Sequence, residues 1–438
     1  MTRNIVETAD IVSSTHDGRG IADLPGKKVF VSGALIGEQV TFQRRKRHRK
    51  YDEAELLEII KRSKSRIKPR CEAFTRCGGC SLQHISSDAQ RELKQQTLKD
   101  SLSRIGKSSP DEWLDPMFLS KNNGDWNYRR RARLGVKDVK KKGRVLVGFR
   151  EKFAPFITDM HRCEVLVKPL NVLIKPLSEL IESLSIRSFI PQIEVAAAEN
   201  FIELVFRVLK SPTDVDKERL IAFGKENDLR LSLQTGGLDT IEELYTNHSN
   251  DLLNYSHDAH NVINEFKSTD FIQINGDLNK LMVSKVIDLL DLSDNHIVVD
   301  LFCGIGNFTL PISRYSKKVI GIEVLENLIH RGEHNKRLNR IDNVDFLCKD
   351  LEKISNSWAG LECNRLLLDP SRSGALEVIN NIEVFNPDKI VYVSCHPGSL
   401  ARDTDILVNN KKYKLIAAGI VDMFPHTSHV ESIAVFSK

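Results

Sequence analysis

Cys395 stands directly after the apolar, β-branched run Ile390–Val393 and before His396-Pro397-Gly398, with a helical pattern from Ser399. Such a run reads as a buried parallel strand. The thiol then falls at the strand's C-terminal tip, on the edge where open α/β sheets bind ligands. Free cysteine is also among the most buried residue types, so a lone thiol reads first as a small core hydrophobe. A second sulfur-bearing stretch is Cys71-x5-Cys77-Gly78-Gly79-Cys80, just after Pro69. Three thiolates in a glycine-rich loop can point at one centre, with glycine N–H groups free to face sulfur. A fourth ligand is needed, and Cys163 in MHRCEV is the best candidate outside the C-terminal half. Four thiolates suit an iron–sulfur cluster or structural zinc. Zinc sites usually pair two CxxC-like knuckles, whereas here one CxxC has two outliers, so both metals stay open with iron–sulfur preferred.

The run Val298–Leu310 (VVDLFCGIGNFTL) has the form of a strand, a glycine-rich turn and a helix start. Gly304 and Gly306 let backbone approach a ligand closely, but the third glycine of a dinucleotide fingerprint is absent, Thr309 standing in its place. Glu323 ends the next strand, placed to accept from both ribose hydroxyls, and Asp350 follows the third, within reach of an adenine amino group. This combination favours S-adenosyl-L-methionine over NAD. Asp369-Pro370-Ser371-Arg372 ends the fourth strand without the aromatic residue that amino-group methyltransferases carry there. Asp369 could hydrogen-bond a ring imide or the cofactor, or simply form a turn.

With a methyl donor bound, a strand-end thiol has a specific use. C5 of a pyrimidine is a poor nucleophile, so its methylation needs covalent activation. A thiolate adds to C6, and the resulting enolate makes C5 reactive. A base must then take the C5 proton. MFPHTSHVESIAVF supplies Glu431, just before the last strand, with His426 and His429 nearby. Glu431 is the candidate base, although alone it would read as a surface carboxylate.

The elements that position these residues follow from pattern and composition. The chain is 28% charged and 41% hydrophobic, a soluble globular composition with length for two to four domains. No apolar run approaches the ~18 residues that span a bilayer, and the N-terminus lacks a signal-peptide stretch, so a cytoplasmic enzyme without a membrane partner is expected. Residues 1–150 carry 33 Lys and Arg against 18 Asp and Glu, while the remaining 288 carry 31 against 41. Basic runs at Arg44–Lys50, Lys61–Arg70 and Arg129–Arg133 could each be a solvated face, but together on a basic front half they favour nucleic acid. Residues 1–60 alternate as short strands of a small β-barrel, including Lys28–Val31 and Glu38–Phe42. Ser87–Ile105 has helical spacing and a charged face read as solvent-facing. Residues 116–262 mix short elements: a hairpin tip at Lys140–Lys142, a helix over Asn171–Leu184, a strand at Phe201–Val208 and a connection at Tyr255–Asn264. From about Ile263, seven candidate strands begin: Ile297–Phe302, Lys318–Ile322, Val344–Leu347, Arg365–Leu368, Ile390–Val393, Leu415–Gly419 and Ile433–Phe436. The first five alternate with helical segments and the last suits an antiparallel strand, giving a doubly wound, Rossmann-like sheet. Nothing reads as a dimer seam, so a monomer is expected.

These stretches also resemble a known family. DGRGIADLPGKKVFVSGALIGEQV is similar to a TRAM domain, an RNA-binding OB-like barrel, and CEAFTRCGGCSLQH to the cluster segment of RlmD-type RNA uracil-5 methyltransferases. SCHPGSLARD resembles that family's SCNPxTLARD nucleophile motif, LLLDPSRSG its DPPRxG, MFPHTSHVE its MFPHTxHxE, and FIQIN (Phe271–Asn275) its FxQxN, while DLFCGIGNFTLP is similar to its cofactor loop. The resemblance implies Cys395 as nucleophile and Glu431 as base. It puts Gln273, Phe302, Asn307, Glu323, Asp350 and Asp369 around cofactor and uracil, and a 4Fe–4S cluster on Cys71, Cys77, Cys80 and Cys163. It further implies a TRAM-like barrel over 1–62, a central α+β domain with the cluster loop over 63–262, with helix 87–105 packing on the catalytic domain, and a methyltransferase domain over 263–438. The implied substrate is a flipped-out uracil of 23S rRNA. A tRNA uracil-5 methyltransferase and a non-catalytic RNA-binding iron–sulfur protein are the alternatives. Three positions depart from the family pattern: His396 replaces Asn, Gly398-Ser399 replaces Ala-Thr, and Ser371 replaces Pro. They bear on fine positioning around the thiol, where His396 could add a titrating group.

Overall fold

The structure, a computed structural model, describes residues 6–120, 124–248, 252–353, 361 and 363–438. Strands Val6–Ser14, Gly20–Leu24, Lys27–Ser32, Gln39–Arg47 and Tyr51–Lys61 form a closed barrel. Alternation places Val29, Val31, Val40 and Phe42 inside it, while Arg45, Lys46 and Arg47 stay exposed. Next comes a six-stranded sheet in the order Ile241–Tyr245, Leu229–Gln234, Ile202–Arg207, Gln192–Ala197, Arg131–Val139 and Arg144–Gly148. Helices Ile174–Ser183 and Asp214–Asn227 pack into its core. The helix expected over 171–184 is two pieces, because Lys168–Asn171 ends in a turn before Ile174.

Tyr255–Asn264 is not a plain connection. Leu253–His257 and Val262–Phe266 pair as an antiparallel hairpin, turned by Asn261 in the left-handed region at φ 51°. An inward Asn264 and an outward Ile263 break the alternation, but Leu253, Tyr255 and Phe266 are buried against Ile305 and Leu328 of the C-terminal region.

The C-terminal sheet contains all seven expected strands and one more. Its order is Val344–Cys348, Lys318–Glu323, Ile297–Leu301, Arg365–Leu368, Lys389–Ser394, Glu431–Ser437, Lys414–Val421 and Glu112–Trp113. The first five are parallel, and Glu431–Ser437 runs antiparallel between its neighbours. The eighth strand comes from far earlier in the chain. Residues 111–117 donate from Asp111, Leu114 and Met117 to carbonyls of Leu415, Ala418 and Ile420, covering an edge that would otherwise be open. Separate cores lie on the two faces. One includes Leu98 and Leu102 of helix Ser87–Arg104, and the other Met282, Val286 and Leu290 of helix Gly276–Leu290.

Two charge readings change. The face of helix Ser87–Arg104 is not all solvent: Lys94 is 1% exposed, its Nζ 2.5 Å from Asp422 Oδ1. Within the run Arg129–Arg133, Arg131 donates to the carbonyls of Ser268 and Asp270, and Arg130 pairs with Asp277, so these two cations tie the six-stranded sheet to the segment leading into helix Gly276–Leu290. Among the described residues no helix is long and apolar enough to cross a membrane.

Candidate active site

Strand register brings the candidate residues together. Leu301 lies beside Leu368, and Leu368 beside Tyr392, so the next residues, Phe302 and Asp369, leave neighbouring strand ends together. Ser394 faces Ser432 in the antiparallel ladder, which makes Cys395 and Glu431 the following opposed pair. Ser432 Oγ donates to the Ser394 carbonyl at 3.2 Å and pins that corner. Glu431 is 3% exposed. Burial, with Asp369 adding, pushes its carboxyl well above the ordinary range. Burial alone takes Asp369 to about 7. The Cys395 thiol is pushed up to about 11 by burial, then by Glu431 and Asp369, with Arg372 opposing. Cys395 thus feels the charge of both carboxyl groups, and Glu431 that of Asp369.

His396 has a local task. It is the N-cap of helix Pro397–Asp405, and its Nδ1 accepts from the Ser399 backbone N–H at 3.1 Å. That is the bond an asparagine cap would make. Burial and Arg372 lower its pKa, which favours the neutral ring that can accept. Ser399 Oγ donates to the Arg372 carbonyl at 3.0 Å, and the Arg372 guanidinium donates to His429 Nδ1 at 2.7 Å.

On the cofactor side, Phe302, Gly304 and Gly306 all have positive φ, at 65°, 56° and 93°. A Cβ on Gly306 would press on Leu310 and Phe346, whereas one on Gly304 would project into open space. Asn307 is locked: its Oδ1 accepts from Tyr255 Oη, His257 Nε2 and Asn279 Nδ2 at 2.8–3.2 Å. The Glu323 carboxylate takes N–H bonds from Gly304, Val324 and Leu325. Asp350 lies on the surface, its pKa lowered by a hydrogen bond from Lys353. Gln273 is half-buried just before helix Gly276–Leu290, which Asn275 caps. Under the loop, Asp300 is fully buried, accepts from Thr309 Oγ1 at 2.6 Å and is pushed up to about 7 by burial.

The four N-terminal cysteines line one small cavity with Phe74, Phe149 and Met160. Gly79 N–H points at Cys77 Sγ at 3.4 Å. Burial pushes Cys80 up to about 12 and Cys163 to about 11, each aided by the other cysteines. The thiols line the walls of a space rather than closing on a point. Among the described residues no three His, Cys, Asp or Glu side chains are set to hold a single ion.

The loop Met423–His429, which leads to Glu431, is clamped from elements far away in sequence. Ser81 and Leu82, next to Cys80, both donate N–H bonds to the His426 carbonyl at 2.9 Å. Gln90 Oε1 accepts from His426 N, Trp126 stacks on its ring at 3.8 Å, Tyr128 Oη donates to Pro425 O, and Lys94 Nζ to Phe424 O. His426 is buried, with its pKa lowered to about 4, so it is packing and not acid–base equipment. Sequence reasoning missed Asp300, Tyr255, His257, Asn279, Gln90 and Lys94. Only Asp300 left a signal, as an acid inside an otherwise apolar strand. Beside this loop a cleft of about 2150 Å³ runs from His429 between the barrel and the six-stranded sheet.

A family model described as tRNA (Uracil-5-)-methyltransferase matches residues 244–438. The chain is 46% identical over 435 residues to the 23S rRNA (uracil(1939)-C(5))-methyltransferase RlmD of Francisella tularensis subsp. novicida (strain U112), covering 98% of this chain and 96% of that protein. It is 43% identical to the protein of the same name from Legionella pneumophila (strain Paris), covering 99% and 97%. Among solved structures, the Pyrococcus abyssi tRNA (uracil-54, C5)-methyltransferase in complex with S-adenosyl-L-homocysteine matches with a TM-score of 0.76 at 22% identity, over 98% of this chain and all of that one, a likeness of fold. The chain belongs to the RlmD family of RNA uracil-5 methyltransferases.

Proposed function

We propose that the protein methylates C5 of a uracil in 23S rRNA, with Cys395 as nucleophile and Glu431 as base. S-adenosyl-L-methionine, when bound, supplies an electrophilic methyl group. Gly304, open to space at positive φ, with Glu323, Asn307, Phe302, Gln273, Asp350 and Asp369 around it, is the set that would hold it and the uracil ring. The observation carrying the proposal is the register that opposes Cys395 and Glu431 beside Asp369.

Cys395 Sγ, deprotonated, bonds to C6, and the C5–C6 π electrons move into an enolate that makes C5 nucleophilic. After C5 gains its methyl group, Glu431 takes the C5 proton. The C–H electrons restore the C5–C6 double bond, and the C6–S bond breaks to return the thiolate. Burial raises the pKa of the thiol and of Glu431, so each must lose its proton before it acts, while Asp369 is pushed up only to about 7. Asp369 is therefore the neighbour able to take the thiol proton first.

The four-cysteine cavity fits a 4Fe–4S cluster on Cys71, Cys77, Cys80 and Cys163. Thiols on the walls of a shared space, with N–H groups aimed at sulfur, suit a cluster better than one ion. The TRAM-like barrel, with Arg45, Lys46 and Arg47 exposed, is an RNA-binding surface in this reading. Labelled methyl transfer to 23S rRNA and to tRNA, each lacking uracil-5 methyl groups, followed by mapping of the base, tests the substrate. Label on 23S rRNA that disappears in Cys395→Ala is expected. Label on tRNA alone, or undiminished label with the variant, overturns the proposal.

A further inference from the structure

Gly78 approaches a neighbouring hairpin so closely that a Cβ there would meet the Arg150 carbonyl at 3.0 Å. The hairpin is Phe149–Thr158, closed by Glu151 N–H to Phe156 O and Thr158 N–H to Phe149 O, both 2.9 Å. It is stitched to the cysteine loop by Gly78 N–H to Arg150 O and Lys152 N–H to Arg76 O, both 2.8 Å. A rigid, anchored hairpin would ordinarily bury its aromatics. Here Phe153 is 88% exposed and Phe156 67% exposed, on either side of Ala154-Pro155. Both line the cleft that reaches His429, together with Arg76, Lys140, Arg150 and Lys152.

Exposed aromatic faces among cations, in a cleft leading to a base-modifying site, match what single-stranded nucleic acid requires: π-faces for bases and positive charge for phosphates. An apolar partner would not need the cations, and a phosphate alone would not need the rings. We propose that the tip of hairpin Phe149–Thr158 is a stacking platform for unpaired bases flanking the target uracil. Phe153 is the principal ring and the cysteine loop is its foundation. The inference rests on the RNA-substrate reading above. It also gives the cysteine loop a task in substrate positioning.

The test uses full-length protein and an RNA fragment spanning the uridine named in the relatives, with 2-aminopurine replacing each flanking nucleotide in turn. Phe153→Ala is expected to raise Kd and KM about tenfold, leave kcat at saturating RNA within about threefold, and abolish a 2-aminopurine fluorescence change seen with the wild type. Phe153→Trp should restore binding, and thermal unfolding should be unchanged in both. Wild-type methylation together with unaltered Kd and 2-aminopurine signal in Phe153→Ala and in the Phe153→Ala/Phe156→Ala double variant overturns this inference alone. A wild-type enzyme that neither binds nor methylates the fragment overturns the substrate reading and this inference with it.

Discussion

The molecule has two sulfur sites whose thiols look alike taken one at a time. Burial pushes Cys395 up to about 11, Cys163 to about 11 and Cys80 to about 12. Their surroundings differ. Cys395 is opposed to Glu431 and lies beside Asp369, groups that can exchange protons with it, at a strand end where a substrate can arrive. The four cysteines line one cavity with a backbone N–H aimed at sulfur, and the carboxylate in its lining, Glu164, is held by Arg70 and Arg162. A raised thiol pKa therefore does not separate a nucleophile from a ligand. The neighbours do, because they decide whether the proton leaves to a base or only when a metal displaces it.

The sharpest way to break the comparison is to remove one sulfur from each site. Cys395→Ala should lower methyl transfer by about 10³-fold or more while leaving metal content and thermal unfolding unchanged. With the proposed cluster on the four cysteines, Cys80→Ala should do the reverse in kind: iron content falls, and stability drops on the order of 5 kcal/mol, read as an earlier unfolding transition. Iron loss in the first variant, or an unaltered melt and iron content in the second, would erase the distinction.

Next in size is the strut between the sites. Lys94 is a buried cation whose partners are Asp422 and the Phe424 carbonyl, on the loop that leads to Glu431. Lys94→Met leaves the buried Asp422 with only its longer contact to Arg91 at 3.8 Å, at a cost of up to about 3–5 kcal/mol in denaturant unfolding. Adding Asp422→Asn should recover much of that. A double variant no better than the single would mean the pair matters for packing rather than for charge.

Lys94 also shows what a sequence withholds. A lysine on a helix reads as solvated, and only the long-range fold supplies the aspartate that lets it be buried. The catalytic sheet was legible because buried parallel strands are apolar along their whole length, as in Ile297–Leu301 and Ile390–Val393, and because its acids and thiol follow directly on those runs. The hairpin Leu253–Phe266 was not legible, since its strands are five residues long and in the second the inward set includes Asn264 while Ile263 faces out. Its importance lies in Tyr255 and His257 reaching Asn307, a contact some fifty positions away that no local pattern encodes. The two-residue edge strand Glu112–Trp113 exists only because the edge it covers exists.

Protons give a subtler contrast within the active site. In the proposed mechanism Cys395 and Glu431 act deprotonated, and their pKa values are raised, so the active populations grow with pH. kcat/KM should climb from pH 6 towards 9, by up to about tenfold per unit at the acid end. Asp369→Asn should remove the inflection near 7. Stability should run the opposite way. Asp369 and Asp300 have folded values near 7, above the ordinary aspartate value, so the folded state binds more protons between about 4 and 7. Their contribution is fully present below the unfolded value and is lost as pH rises through 7. Parallel rather than opposed profiles would show that other groups dominate.

The smallest expected effect concerns the residue beside the thiol. His396 departs from the family's asparagine, yet its Nδ1 accepts the Ser399 N–H that caps helix Pro397–Asp405. Two roles make different predictions. If the ring only caps, His396→Asn preserves both the helix start and the position of Cys395, shifting stability by less than about 0.5 kcal/mol and leaving the pH–rate profile superimposable. His396→Ala then costs about 1 kcal/mol with a modest fall in rate. If the ring instead exchanges protons with Cys395, Asn would fold well and still flatten the profile between pH 5 and 7. The geometry favours capping, because the nitrogen nearest the backbone is occupied by an N–H that a protonated ring could no longer accept.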